Sequence, residues 1–312
     1  MSKKRTLKSS IAGLVERYLT HMQKDHGRTL KFDRCALYAF DNYCAESGIL
    51  SPLAESAFTG YAQSGHCSLV QRGNRYRVLY RFYDFCRSLD ETLPQIPRQA
   101  TSLKGPRYIS HIYSKDEIRT LMEYPLRNDC DWAAERALRW QCLIGILAAT
   151  GMRIGEVLNL KLKDVDSGAS VLTVREGKFH KSRLVPVDGS VMTAIGKYMG
   201  VRLKPSSEYL FTSRGGNRIG YTTICSMFNE ALAKTGVGAD AVNKPRIHDL
   251  RHTFAVSTVV EWTKRGLDVQ GLLPVLATYL GHRHISDTAY YLESSTELLR
   301  PVAERITLVQ EK

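Results

Sequence analysis

The sequence predicts a mainly α-helical protein with one small antiparallel sheet, divided into a helical N-terminal unit and a larger mixed C-terminal unit. Three observations carry this prediction. Apolar residues recur at helical spacing along most of the chain. Over residues 91–112 that period is lost, and Pro94, Pro97, Gly105 and Pro106 mark a linker. Only two short runs, Val171-Leu172-Thr173-Val174 and Leu184-Val185-Pro186-Val187, have strand character. The expected division is a helical unit over 1–90, the linker, and a second unit over 113–312.

In the first unit, Ile11, Leu14, Val15, Tyr18, Leu19 and Met22 form one stripe over 9–24, behind Ser9/Ser10 as candidate N-cap and before Gly27. A second helix is expected over about 31–46, ending at Gly48, and a third over 53–62. The fourth, about 69–89, sets Val78, Leu79, Phe82, Phe85 and Cys86 against Arg72, Arg75, Arg77 and Arg81. Those arginines are either a solvated face or contacts to DNA phosphates.

The second unit opens on Ser114-Lys115-Asp116-Glu117, the pattern of a reciprocal capping box. A buried helix is expected over about 132–149 and another from near Gly155. The two strands flank the polar turn Gly177-Lys178-Phe179-His180-Lys181-Ser182. Helices follow at about 190–199, 221–235, 250–264 and 272–280, and again near Asp287.

Charge narrows the partner. The chain carries a formal +13 with pI about 9.4, which favours a polyanion such as nucleic acid. Both parts are basic: residues 1–110 hold 17 Lys/Arg against 9 Asp/Glu, and the remainder 27 against 22. Seven scattered cysteines with no CxxC pair argue against a disulfide framework or a zinc site. Most of them read as small buried apolar side chains in a reducing compartment. With no signal peptide and no long apolar run visible, a cytoplasmic protein is expected.

Three segments carry the chemistry. Ala149-Thr150-Gly151-Met152-Arg153-Ile154-Gly155-Glu156 places an arginine just after a Thr-Gly break between apolar helices. His248-Asp249-Leu250-Arg251 sets a proton-handling and a cationic side chain three residues apart, on one helix face. Leu280-Gly281-His282 is followed by Tyr290-Tyr291. Together these can grip a phosphate diester and attack it with a phenol.

In that order and at those separations, the segments resemble the tyrosine recombinase (phage integrase) family. The likeness spans the C-terminal unit, and the helical N-terminal unit is similar to the family's core-binding domain. The resemblance implies a mixed α/β catalytic domain in which Arg153, Lys178, His248, Arg251, His282 and Tyr291 do the chemistry. Tyr291 lies nine residues after His282, where the family keeps its nucleophile, and Tyr290 falls one short. Glu156 fits the acidic position that orients Arg153. Lys178 follows a glycine, as the family's hairpin lysine does; Lys181 and Arg183 remain alternatives, because turn length varies.

The implied reaction is DNA strand cleavage and rejoining through a covalent 3′-phosphotyrosine, with no metal and no cofactor. The implied partners are double-stranded DNA recombination sites and further copies of the chain, as a tetramer on DNA with or without a second recombinase. The tail residues Leu298, Leu299, Val302, Ile306 and Leu308 have amphipathic spacing suited to docking on a neighbouring protomer. About ten residues precede the first helix, which favours a simple Xer-like or transposon-type enzyme over an integrase with an added arm-binding domain. Two rival readings are a catalytically silent DNA-binding protein of the same fold and a type IB topoisomerase. The full set of six residues counts against the first, and the arrangement of His282 and Tyr291 against the second.

Overall fold

The computed structural model describes residues 6–26, 30–65, 68–95, 108–126, 133–175, 182–282, 284 and 288. The chain forms two compact units, Met1–Arg107 and Tyr108–Lys312.

The first unit is made of α1 (Ala12–His26), α2 (Lys31–Glu46), α3 (Glu55–Gln63) and α4 (Leu69–Leu89). Their stripes close on a core rich in aromatics, including Tyr18, Phe40, Phe58, Phe82 and Tyr83. Tyr18 meets Phe82, and Phe58 meets Tyr83, edge to face at 5.6 and 5.5 Å, the geometry that ring quadrupoles favour. Buried Asp41 on α2 accepts hydrogen bonds from the backbone N–H groups of Lys8 and Ser9 and from the Ser9 hydroxyl. Ser9 is thus tied to α2 as well as flanking α1. A reciprocal Ser68–Gln71 capping box opens α4.

The α4 arginines do not share one environment. Arg75 donates to the carbonyls of Tyr61 and Ser64 at 3.0 and 2.9 Å and lies over the Tyr61 ring. Arg81 pairs with Asp33 at 2.9 Å while keeping 44% of its side chain exposed. Arg77 is exposed and reaches Asn74, and Arg72 is half-buried.

In the second unit, the expected capping box at Ser114 and Glu117 opens α5 (Lys115–Glu123). The core is built around α6 (Ala134–Thr150), whose Trp140, Leu143, Ile144 and Ile146 are fully buried. The Trp140 indole N–H donates to the Leu121 carbonyl at 2.7 Å, which satisfies its polar edge inside the core. Then follow the short α7 (Ile154–Asn159), a three-stranded antiparallel sheet, α8 (Gly189–Val201), α9 (Tyr221–Thr235), α10 (Asp249–Lys264) and α11 (Val269–Leu280). The mainly α class with a small antiparallel sheet is therefore what the chain adopts.

The sheet has order β1-β2-β3: β1 is Val165–Asp166, β2 Val171–Val174 and β3 Arg183–Pro186. Sequence reading found the latter two runs but missed β1, which at two residues has no period to detect. It placed β3 one residue late; the register pairs Val174 with Arg183 and Val171 with Pro186. It also started α11 at Leu272, whereas the Asp268 side chain caps the helix by accepting from the Gly271 N–H and α11 tolerates Pro274 inside. The hairpin turn 176–181 and the residues expected to form a helix near Asp287 and the tail lie outside the described residues, apart from His284 and Thr288.

No helix among the described residues is long and apolar enough to cross a membrane. Cys44, Cys86 and Cys142 are buried, and burial pushes their thiols up to about 11, 12 and 12, as small core side chains rather than reactive ones.

Candidate active site

Three chain breaks bring the predicted residues together. Gly151 ends α6 in the left-handed conformation (φ +59°), where a Cβ would lie 2.6 Å from Phe254. Only glycine fits that turn, and it delivers Arg153 as the N-cap residue of α7. His248 is the N-cap residue of α10 and Arg251 sits in its first turn. Gly281, also left-handed (φ +70°), closes α11 and presents His282.

The C-terminus of α11 is where these segments meet. A helix end leaves carbonyls without intrahelical partners and carries partial negative charge. Here three consecutive carbonyls accept from three different arginines: Tyr279 from Arg183 Nε at 2.9 Å, Leu280 from Arg251 at 2.9 Å, and Gly281 from Arg153 at 3.0 Å. Arg251 is 1% exposed and also donates to the Gly151 carbonyl at 2.8 Å, so it bolts the α6 break to the α11 end. Arg153 keeps a quarter of its side chain exposed.

Glu156 holds the arginines from behind. Its carboxylate accepts from the Arg153 guanidinium at 2.9 Å and backbone N–H at 3.0 Å. It also accepts a two-pronged pair of bonds from Arg183 at 3.1 and 2.8 Å. Burial alone would raise this carboxyl, but the hydrogen bonds and charge of Arg183, with those of Arg153, hold it at about 2. Glu156 is thus an anion at every physiological pH.

His248 is the half-buried proton-handling group. Burial, then the charge of Arg251, push it down to about 4, with Arg246 and Arg153 adding and Asp249 opposing. It is therefore a neutral imidazole at pH 7, able to accept a proton. His252 stands edge-on to it at 5.7 Å; burial and His248 push it to about 3. Asp249, fully buried at the start of α10, accepts from the Tyr108 hydroxyl at 2.7 Å and the Arg246 N–H at 2.9 Å. The Arg246 guanidinium lies over the Tyr108 ring.

His282 is oriented on both sides. Arg251 donates to its Nε2 at 2.6 Å, and its Nδ1 lies 2.7 Å from the Thr288 hydroxyl. A guanidinium cannot accept, so Nε2 holds the lone pair and the proton resides on Nδ1.

Arg153, His248, Arg251 and His282 are thus gathered at one site. Lys178, Lys181, Tyr290 and Tyr291 lie outside the described residues. Arg183, one of three residues that could fill the hairpin lysine's place, instead has its guanidinium engaged by Glu156 and Tyr279. Sequence reading did not foresee that bracing role, nor Thr288, nor the Tyr108–Arg246–Asp249 cluster. Asp249 alone had a local signal, an acid in a first helical turn. No group of three or more His, Cys, Asp or Glu side chains suited to a metal occurs among the described residues.

Residues 112–297 match the model of the phage integrase family. Two putative integrase/recombinases of Sinorhizobium fredii are similar in sequence. The one designated y4rB is 41% identical over 204 residues, 63% of this chain and 65% of that protein. The other, y4rE, is 36% identical over 298 residues, 94% of this chain and 95% of that protein. Among solved structures, the XerH site-specific recombinase bound to a palindromic difH substrate, in a post-cleavage complex, superposes with TM-score 0.62. It is 20% identical, covering 86% of this chain and 77% of that one, a likeness of fold.

Proposed function

The chain belongs to the phage integrase family, the tyrosine recombinases, and acts in site-specific DNA recombination; on that premise we propose that it cuts and rejoins DNA through a covalent 3′-phosphotyrosine on Tyr291. The observation that carries the reading is the meeting of Arg153, Arg251 and His282 at the end of α11, beside a neutral His248.

Arg153 and Arg251 grip the non-bridging oxygens of the scissile phosphate and stabilise the charge that grows in the pentacoordinate state. The Tyr291 phenol attacks phosphorus, and its proton passes to neutral His248. The P–O5′ bond breaks, and Lys178 protonates the departing oxygen to a free 5′-hydroxyl. His282, accepting from Arg251 through Nε2, keeps that guanidinium aimed at the phosphate. The phosphotyrosine conserves the phosphodiester energy, so a 5′-hydroxyl from another strand reverses the step and completes exchange. Every bond made replaces one broken, so the reaction needs no nucleotide, and the two arginines supply the charge stabilisation that a metal would otherwise bring.

Double-stranded DNA is the partner, consistent with the net charge of +13. Exchange between two duplexes cuts four strands, and each cut consumes one tyrosine, so the working assembly is a tetramer, built from this chain alone or with a second recombinase. The tail beyond Tyr291 docks on the neighbouring protomer. Residues 1–90 act as a core-binding domain, with Arg72, Arg77 and Arg81 contributing to DNA contact while Arg75 holds the Tyr61 and Ser64 carbonyls, joined by 91–112 to the catalytic domain of 113–312. The protein works in the cytoplasm.

A nicked suicide substrate, which loses its 5′-hydroxyl fragment on cleavage, tests this directly. A protein–DNA adduct should accumulate in EDTA and map to Tyr291, and Tyr291→Phe should abolish it while Tyr290→Phe does not. The reverse pattern would shift the nucleophile to Tyr290. Metal-dependent cleavage without an adduct would overturn the reading.

A further inference from the structure

The Glu156 carboxylate is shared by two guanidiniums, and this sharing has electrostatic weight. An Arg153–Glu156 pair alone is neutral overall. Such a pair has little attraction for a phosphate dianion-like transition state, and its arginine has a strong preference for its own carboxylate. Arg183 changes both properties. It takes both carboxylate oxygens, at 3.1 and 2.8 Å, while leaving Arg153 a single side-chain bond to Glu156 at 2.9 Å. The three side chains together then carry one net positive charge. Arg183 is 15% exposed and Glu156 7%, against 25% for Arg153, so solvent screens the inner pair least and Arg153 faces outward.

We propose that Arg183 is a positioning residue that acts through Glu156: it neutralises that carboxylate so that Arg153 is released, oriented and cationic, toward the scissile phosphate. The inference rests on Arg153 as a phosphate-gripping residue. It gives Arg183 a role separate from protonating the leaving group. The arrangement is tightly built. A Cβ on Gly281 would lie 2.9 Å from the Arg183 guanidinium, and the Arg183 Nε is held by the Tyr279 carbonyl. The cluster ties β3, α7 and the end of α11 into one unit.

Charge and bracing make opposite forecasts. Single-turnover adduct formation on the suicide substrate is compared for the full chain and for Arg183→Met, Arg183→Lys and Arg183→Met combined with Glu156→Gln, with melting temperature and DNA binding measured on each. Arg183→Met should slow adduct formation on the order of 100-fold, the scale of losing one transition-state charge stabiliser, with DNA binding retained. Removing the now unbalanced anion in the double variant should restore the rate to within about tenfold of the unmodified chain. Arg183→Lys, which keeps the charge but not the fork, should likewise stay near it. If the double variant is as slow as Arg183→Met, or if lysine fails as methionine does, Arg183 is a packing strut and the proposal is wrong. Should Arg183→Met not fold, the lysine variant decides alone. An unmodified chain that forms no adduct would instead defeat the functional reading on which the inference rests.

Discussion

Arg251 Nη2 lies 2.6 Å from His282 Nε2, so a buried cation fixes which nitrogen of that histidine carries the proton. The Nδ1–H is then committed to the Thr288 hydroxyl at 2.7 Å, and the ring is held in one tautomer and one orientation.

Thr288→Val removes that second partner while keeping shape. Cleavage should fall roughly 10-fold, part of the effect a proton-handling group supplies, while DNA binding stays level. Thr288→Ser should restore the rate. An unchanged single-turnover rate in the valine variant would show that Thr288 does not orient His282.

Arg251→Ala should fail in two ways at once. The carbonyls of Gly151 and Leu280 lose their donor inside the protein, which costs roughly 2–4 kcal/mol of stability. Cleavage should also be lost, while DNA binding, spread over many phosphates, is mostly kept below the new melting temperature. Melting curves and band shifts measure the two separately. A variant of normal stability would mean the buried bonds carry no weight.

The α4 arginines should divide by environment. Arg77→Ala and Arg81→Ala should weaken binding to any DNA sequence and reduce the salt slope by about 0.9 for each phosphate that is no longer neutralised. Arg75→Ala should mainly lower the melting temperature, because its guanidinium holds the Tyr61 and Ser64 carbonyls. Salt titrations of binding separate the groups. A full salt-slope change from Arg75→Ala with no stability loss would reverse the division.

Acid should destabilise the catalytic unit. His248 and His252 titrate at about 4 and 3 when folded, against an ordinary 6.5, so the unfolded chain binds more protons as pH falls below 6.5. Stability is therefore complete above that value and is lost downward, by on the order of 1 kcal/mol per histidine near pH 5 after allowance for solvent screening. Glu156 acts in the same direction only below about 4.5. Urea midpoints at pH 7 and pH 5 measure the drop, and His248→Gln with His252→Asn should remove most of it. The whole drop persisting in that double variant would assign it elsewhere.

Much of this site was legible because its residues sit beside local breaks. Thr150-Gly151 announces a helix end before Arg153, and Leu280-Gly281 announces another before His282; helical spacing puts His248 and Arg251 on one face. The helices themselves followed from periodicity and from one capping box. What escaped is long-range. Arg183 reaches Glu156 across 27 residues and Tyr279 across 96, and no pattern in either neighbourhood encodes the meeting. Thr288 depends on the path the chain takes after Gly281, and β1 is too short to have a pattern.

The three arginines on Tyr279, Leu280 and Gly281 set the tolerance of the chain to changes in length. One residue inserted between Leu276 and Tyr279 would turn the following carbonyls by about 100°, and the bonds of Arg153, Arg183 and Arg251 would miss together. Insertions beyond Tyr291 leave all three bonds, the Thr288 contact and the spacing from His282 to Tyr291 in place. Lineages of this protein should therefore drift freely in length beyond Tyr291, while the residues from Leu276 to Tyr291 stay fixed in number, whatever DNA each descendant comes to cut.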